Sequence, residues 1–242
     1  MRVWLHEHMG DESGWSIWSF DYLGFSTWAS TRDEVISKAP EKLTDHLGWL
    51  KRHGSDIESG FLERTEIVEE VAGDEPLFSE DLAPATHEEI SSCIEFLGFS
   101  RSDLFHTVED LSDSVLNWEL PGRDLPEWAW WRTIRLILKH IAFVELGYYL
   151  PVITQPMITP EYLSDAGWCR QLSLSRRETI RCLENLKSAE DLVRLSRAEE
   201  EWTLRKVLRR LVWHEIVHWK SIKRIIREYH QSFSSDRQSD KQ

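Results

Sequence analysis

The chain has 242 residues, of which 41% are hydrophobic and 13 are tryptophan, so it can bury the core of one large domain or two modest ones. Its net charge of −13 is concentrated near the start, where residues 1–80 carry 7 basic and 17 acidic side chains. Such an anionic segment repels phosphate backbones, which disfavours direct nucleic-acid binding. The uneven charge also favours two domains.

The sequence predicts a cytoplasmic protein without a membrane span. No apolar run approaches the roughly 20 residues that a span needs, and residues 1–6 lack the apolar stretch of a secretory signal. The three cysteines, Cys93, Cys169 and Cys182, are widely spaced and form no Cys-x-x-Cys pair. This pattern is typical of reduced thiols that pack as small hydrophobic side chains.

Residues 1–72 are predicted to form a small α+β unit. Residues 2–7 and 15–20 are short strand candidates, with a hairpin loop at residues 10–14. Thr31 and Glu34 form a capping box, which opens a helix that reaches about residue 54 with a kink or break at Pro40. A further strand at residues 64–71 completes a small antiparallel sheet packed on this helix.

Residues 73–85 mix glycine, proline and acids and are predicted to be a linker, and the pattern from residue 86 to residue 230 is helical. Thr86 and Glu89 form a second capping box, which opens a helix to about residue 111 that Gly98 could interrupt. The prolines of residues 121–126 separate it from a long apolar helix at residues 127–150.

Two further helices are predicted after the extended connection 151–160. Ser175 and Glu178 form a third capping box, for a helix that ends near residue 192. Thr203 caps the last helix, which reaches about residue 229, and residues 231–242 form a polar disordered tail. Four long helices in sequence favour an all-α antiparallel four-helix bundle over residues 86–230.

Three histidines form a candidate metal site in this bundle. His214 and His218 lie four residues apart, so on a helix their imidazoles share one face and can bind the same ion. A helical wheel places both in the apolar stripe of the last helix and His140 in the apolar stripe of the helix at residues 127–150. Three converging ligands from two helices would leave a coordination position open for chemistry.

Two other interpretations compete with this one. A single histidine on an apolar face is usually a core residue with a hydrogen-bonding partner, although burying three unpaired imidazoles would cost about 1–3 kcal/mol each. The run from His214 to His218 also matches the His-Glu-x-x-His pattern of metalloproteases, in which Glu215 would be the general base. That pattern normally takes its third ligand downstream, where only His230 remains, so His140 fits better.

Other features favour structural roles. Glu145 and the pair His106 and Glu109 could support the histidines, but exposure to solvent is the simpler interpretation. The tryptophans of residues 128–131 either rim the mouth of the bundle and bind an apolar ligand or serve packing alone. The basic residues from 205 to 227 are predicted to form a solvent face that pairs with neighbouring acids.

The first segment resembles the HicB-like antitoxins. The resemblance lies in the order of paired strands, then residues 24–35 with a glycine-containing turn and a threonine before an acidic pair, then the helix ending at residues 47–54. It implies a partly open sheet on a helix, as in toxin-neutralising modules, and a protein partner for residues 1–72. The DNA-binding tail of many such antitoxins has no counterpart in this chain.

Residues 85–230 resemble the DinB-like (DUF664-related) four-helix bundles. That family places one metal-binding histidine in its second helix and a His-x-x-x-His pair in its last, which matches His140, His214 and His218. The resemblance implies a bacterial metalloprotein, and its relatives include thiol-dependent transferases and isomerases that use bacillithiol or mycothiol. Three neutral imidazoles leave an ion its full charge, which would acidify a bound water or thiol. Zinc is the first choice, with nickel, iron or manganese open.

Two hypotheses follow from these observations. The first is a DinB-like metalloprotein that acts as a thiol-dependent transferase or a hydrolase on a small-molecule substrate. The second is a non-enzymatic regulatory protein that binds a protein partner through residues 1–72 and has a structural or vestigial metal site.

Overall fold

The computed structural model describes residues 1–9, 13–55, 65–123, 125–187, 195–197 and 200–239. The chain divides into two compact units, one of residues 1–99 and 185–213 and the other of residues 100–184 and 214–242. The predicted domain limits at 72, 85 and 230 stay a prediction. The first unit contains a small mixed sheet of four strands, and helices dominate the rest of the chain.

The sheet has the order β3-β2-β1-β4 and is formed by β1 (Arg2–His8), β2 (Gly14–Trp18), β3 (Ser26–Ala29) and β4 (Glu66–Gly73). The expectation of an antiparallel sheet was wrong for one pair, since β4 runs parallel to β1. The helix between β3 and β4 returns the chain to the starting end of the sheet, which forces this direction. β3 was not predicted, and residues 10–12 of the expected hairpin loop lie outside the described residues.

The first helix, α1 (Arg32–Arg52), begins where the capping box predicts, because Thr31 Oγ1 accepts a hydrogen bond from the amide of Glu34 at 3.3 Å. The expectation of two abutting helical pieces at Pro40 was wrong, since α1 runs through this residue, and the alternative of a kink stays a prediction. Burial of one face of α1 against the sheet explains this continuity, since Val35, Ala39 and Leu43 belong to one cluster with the sheet residues Val3, Leu5 and Ile17.

The other face of the sheet is also covered within this unit. Trp4 and Trp18 form a second cluster with Phe78, which comes from the predicted linker and is fully buried. Residues Ser79–Leu82 form a turn of 3-10 helix, where the buried carboxylate of Asp81 accepts hydrogen bonds from Arg209 at 2.7 and 3.1 Å. Part of the predicted linker, including Phe78 and Asp81, therefore belongs to a packed core.

Six further helices follow in the described residues: α2 (His87–Val108), α3 (Asp113–Leu116), α4 (Ile134–Val144), α5 (Leu150–Ile153), α6 (Trp168–Lys187) and α7 (Leu204–Ser239). A π-helical turn, Glu145–Tyr149, joins α4 to α5. The capping box before α2 is reciprocal, with Thr86 and Glu89 bonded at 2.7 and 3.0 Å, and α2 continues through Gly98. The count of four bundle helices is not confirmed.

Several helix limits differ from the predictions. The apolar helix begins at Ile134, seven residues later than predicted, because Thr133 caps it by accepting from the amide of Leu136 at 3.3 Å. The helical segment continues past Pro151, because a helix tolerates proline in its first turn and Pro151 takes that position in α5. Ser175 lies inside α6, where its hydroxyl donates to the carbonyl of Leu172 and caps nothing.

The last helix begins as predicted and ends later. Thr203 Oγ1 accepts from the amide of Lys206 at 3.1 Å and caps α7, which continues to Ser239 through most of the predicted disordered tail. Before it, β5 (Leu195–Arg197) and β6 (Glu201–Thr203) form a two-stranded sheet that was not predicted.

The basic residues at the start of α7 pair with acids, as predicted. Arg205 bonds Glu80 and Glu89 at 3.0 and 2.7 Å, and Arg210 bonds Glu75 at 2.8 Å. Arg209 was expected on the solvent face, but it is only 2% exposed because its guanidinium also packs over the ring of Trp18.

One helical segment, Ile134–Ile153, is long and apolar enough to cross a membrane by length and composition, contrary to the expectation that no such run exists. Most of its apolar window, 61%, is buried inside the protein. Ile137, Leu138 and Ile141 lie in the core of the second unit, so burial accounts for the apolar composition. This is typical of a core helix in a soluble protein.

Candidate metal centre

The three predicted histidines meet in the core of the second unit. His140 comes from α4, and His214 and His218 come from successive turns of α7. The Nε2 atom of His214 lies 3.1 Å from Nε2 of His140 and 3.1 Å from Nε2 of His218. The ligating atoms of all three lie within 4.8 Å of one another, so one small ion can contact all of them.

Apolar packing on both helices holds these rings in place. Neighbouring positions of α4, Ile137 and Ile141, are fully buried, as is Ile222 one turn after His218. The histidines are only 7 to 8% exposed because they share these stripes. The helical period of the two segments therefore brings the imidazoles together.

Burial favours the neutral forms of His140 and His218. It lowers the pKa of His140 to about 4, and it lowers the pKa of His218 well below its ordinary value, with a further contribution from the charges of His140 and Arg123. A neutral imidazole offers a lone pair on one ring nitrogen, which is the form that binds metal ions.

The contacts among the histidines do not form a complete hydrogen-bond network. One Nε2 atom has a single site in the ring plane, which is either an N–H or a lone pair. Nε2 of His214 faces two other Nε2 atoms, so it can form a hydrogen bond with only one of them. A cation that accepts all three lone pairs resolves the conflict, and nitrogens bound to one ion at about 2.0–2.1 Å are themselves about 3–3.5 Å apart.

Two of the second ring nitrogens, on His140 and His218, lack the usual supporting groups in the described part of the chain. Among the described residues, the buried Nδ1 atoms of His140 and His218 have no hydrogen-bond partner. Metal-binding histidines commonly donate this N–H to a carboxylate or carbonyl, which orients the ring. Here aromatic packing takes over part of that role, since Trp131 stacks on His140 at 3.7 Å between ring centroids and meets His218 edge-on at 6.2 Å.

The tryptophans before α4 include both packing and exposed residues. Trp131 covers His140, and Trp130 meets the same imidazole edge-on at 5.5 Å while remaining 42% exposed. Trp128 is 59% exposed and contacts Trp131. Trp130 and Trp131 therefore lie against the histidine cluster, and the binding of an apolar ligand by these tryptophans stays a prediction.

Glu215 does not face the histidines as a general base would. It is 1% exposed, and its carboxylate accepts hydrogen bonds from Nε and Nη2 of Arg101 at 2.9 and 3.0 Å and from Arg176. A carboxylate held by two guanidiniums is a weak base and is not free to take a proton from water. The arrangement therefore argues against the metalloprotease interpretation.

Glu145 belongs to the same buried network, contrary to the expectation that it is solvated. It is 3% exposed and accepts hydrogen bonds from Arg101 at 3.0 Å and from Arg176 at 2.5 and 3.1 Å. Burial alone would raise the pKa of Glu145, but the charges of Arg101 and Arg176 hold it below its ordinary value. His106 and Glu109, in contrast, are exposed as predicted.

We call Arg101, Glu145, Arg176 and Glu215 the charge quartet. Its two cations and two anions come from α2, the π-helical turn, α6 and α7, so each helix contributes one charge. Glu215 directly follows His214, and Glu145 follows His140 by a little more than one turn. Neither arginine was predicted to be buried, because no local pattern marks a basic residue as buried.

Comparison with known families supports the assignment of the helical region. The model of the DinB superfamily matches residues 97–222, just over half of the chain, and this range includes the three histidines and the charge quartet. It does not include residues 1–96, so the resemblance to HicB-like antitoxins has no support from it. No curated protein and no solved structure matches the chain.

Proposed function

The chain belongs to the DinB superfamily, and we propose that it binds one divalent metal ion through His140, His214 and His218. The observation that carries this proposal is the position of His214 Nε2, which lies 3.1 Å from two other imidazole nitrogens. Neutral imidazoles in such contact repel one another unless a cation or shared protons lie between them. Zinc is the first choice for the ion, with nickel, iron and manganese as alternatives.

We further propose a thiol-dependent transferase or hydrolase activity in the cytoplasm. When bound, a divalent ion held by three neutral ligands supplies Lewis acidity that lowers the pKa of a thiol or water in its open position. The chain itself positions the imidazoles, favours the neutral forms of His140 and His218 through burial, and shields one side of the cluster with Trp131. Because Glu215 is committed to two arginines, proton transfer would fall to the substrate or to solvent.

Metal analysis of the purified full-length protein tests the first proposal. We expect about one equivalent of a divalent metal after loading, and loss of it in the double variant His214→Ala, His218→Ala. His106→Ala is the matched control, because that histidine is 90% exposed and far from any ligating role in the described cluster. Equal metal content in the double variant and in the control would contradict the assignment.

Activity is tested separately on the metal-loaded protein. Bacillithiol, mycothiol and glutathione would each be incubated with an electrophile such as 1-chloro-2,4-dinitrobenzene, beside a His140→Ala variant. A thiol-dependent product that requires His140 supports transferase activity. The absence of conversion with every thiol and metal would favour the non-enzymatic hypothesis.

A protein-binding role for the first unit is the second candidate. The sheet has two edge strands, and both expose apolar side chains: Trp28 on β3 is 50% exposed, and Ile67 and Val68 on β4 are 38% and 46% exposed. Edge strands with exposed apolar groups can add a strand from another chain. This is the feature that a HicB-like, toxin-neutralising module would use.

The full-length protein with Val68→Lys tests this candidate in a pull-down from its native cells. Ser37→Lys is the control, since it adds the same charge to an exposed position of α1. We expect a specific partner to be lost from Val68→Lys only. Identical captured proteins with both variants would remove the support for an edge-strand interface.

A further inference from the structure

A cavity beside the histidine cluster has the size and lining of a small-molecule site. Its volume is about 320 Å³, and it lies along the face of α4 and the π-helical turn that precedes α5. Pockets that bind small ligands typically begin at about 300 Å³ and are mostly apolar. The apolar lining consists of Trp130, Ala142, Phe143, Leu146, Pro160 and Leu163.

Trp130 links this cavity to the candidate metal centre. Its indole lines the cavity and lies edge-on to Phe143 at 6.4 Å, and it also meets His140 edge-on at 5.5 Å. A ligand in the cavity would therefore contact the same side chain that borders the metal-binding imidazole. This proximity suits a co-substrate whose reactive group must reach the metal centre.

The polar lining indicates the charge of the ligand. Lys139 lines the cavity, is half-buried, and forms no ion pair among the described residues. Glu161 also lines the cavity, and a hydrogen bond from Thr159 lowers the pKa of its carboxyl group. Because this carboxylate is fully exposed, solvent screens its charge. Lys139 would therefore stabilise a bound anionic group more than Glu161 would stabilise a bound cationic group.

Gly147 helps to shape this cavity. A Cβ atom at this position would lie 2.9 Å from Cγ of Pro160, so the missing side chain allows the segment at residue 160 to approach the helix. Pro160 in turn lines the cavity beside Leu163. The close approach of Pro160 to Gly147 therefore fixes part of the cavity wall.

We propose that this cavity binds the apolar body of an anionic co-substrate, of about the size of a two-ring aromatic with one carboxylate or sulfonate. Its role as a substrate subsite rests on the proposed metal-dependent function. Ligand binding to the cavity does not depend on the metal, because no lining residue is one of the three histidines. The two proposals can therefore fail independently.

Two fluorescent probes of the same frame test the proposal on the metal-free, full-length protein. One is 8-anilinonaphthalene-1-sulfonate, and the other is its uncharged parent, N-phenyl-1-naphthylamine. We expect saturable binding of both probes, with the sulfonate favoured. Lys139→Met should weaken binding of the sulfonate by about 3- to 10-fold and leave binding of the neutral probe nearly unchanged.

Blocking and control variants locate the binding. Ser164→Trp places an indole at an exposed position of the lining and should weaken both probes. Lys51→Met removes an exposed lysine of α1 and should change neither probe. If Lys139→Met does not fold, Lys139→Gln removes the same charge with a polar side chain and should give the same selective loss.

Three results would overturn the proposal: no saturable binding of either probe, unchanged binding in Ser164→Trp, or equal effects of Lys139→Met on both probes. Cobalt titration of Ser164→Trp distinguishes a wrong cavity proposal from a wrong metal-site proposal, because this variant should bind cobalt like the wild type. Conversely, His214→Ala should lose cobalt binding and retain the probes.

Discussion

Glu215→Gln should destabilise the protein strongly, because it removes one of two anions that neutralise two buried guanidiniums. Arg101 and Arg176 have side chains that are each 7% exposed, and Glu215 is 1% exposed. In the variant, Glu145 alone faces both cations. Breaking a buried ion pair by removing one member costs about 3–5 kcal/mol, since the remaining charge is left uncompensated in a low-dielectric interior.

Urea denaturation of the metal-free protein measures this cost as a change in the free energy of unfolding. Glu119→Gln is the matched control: its carboxylate is 56% exposed and lies 3.6 Å from Arg132, so the loss should stay below about 1 kcal/mol. EDTA must be present in both samples, because a bound metal would itself raise the apparent stability.

A double variant separates charge balance from packing. Arg176→Met combined with Glu215→Gln leaves one cation and one anion, so its cost should be smaller than the sum of the two single costs. Coupling of about 1–3 kcal/mol is expected for groups in one network. If Glu215→Gln cost no more than Glu119→Gln, or if the two quartet substitutions were additive, the argument for mutual neutralisation would be wrong.

Three further outcomes are expected. Zinc at about 100 times its dissociation constant should add about 2.7 kcal/mol to the free energy of unfolding of the wild type, measured in urea, and nothing comparable to His140→Ala. Burial lowers the pKa of His6 and His8 to about 4, below the unfolded value near 6.5. Their neutral forms therefore favour folding, and the free energy of unfolding should fall as the pH drops from about 6.5 to 4. His6→Gln should show a shallower fall in the same urea series. Thr203→Ala should lower the free energy of unfolding by about 1–2 kcal/mol in a thermal or urea melt, because the hydroxyl caps α7 and also donates to the carbonyl of Asp81 at 2.7 Å. A smaller loss of stability than in Thr31→Ala, whose cap is exposed, would contradict this.

The sequence predicts the histidine cluster well because its signal is local. The spacing of His214 and His218 equals about one helical turn, and the apolar stripe around His140 indicates which way that ring faces. Both facts belong to single helices and need no knowledge of how helices pack. The same holds for the caps at Thr31 and Thr203, whose hydrogen bonds reach only three residues ahead.

Features that depend on distant residues were not predictable in this way. Arg101 and Arg176 are ordinary basic residues in their own helices, and only packing across helices places them against Glu145 and Glu215. Ser175 satisfies the pattern of a capping box, but α6 already begins at Trp168, so the tertiary burial of Ser175 outweighs its local preference. The parallel direction of β4 likewise follows from connectivity and not from alternation.

The two buried polar clusters of the second unit differ in what they require. The charge quartet contains equal numbers of cations and anions, and its hydrogen bonds pair both arginines with both glutamates. Its charges therefore balance within the protein. In the histidine cluster, one nitrogen of His214 faces two others, and the buried Nδ1 atoms of His140 and His218 are unpaired among the described residues. The balanced charges of the quartet favour the histidines, and not the glutamates, as the proposed ligands of a cation.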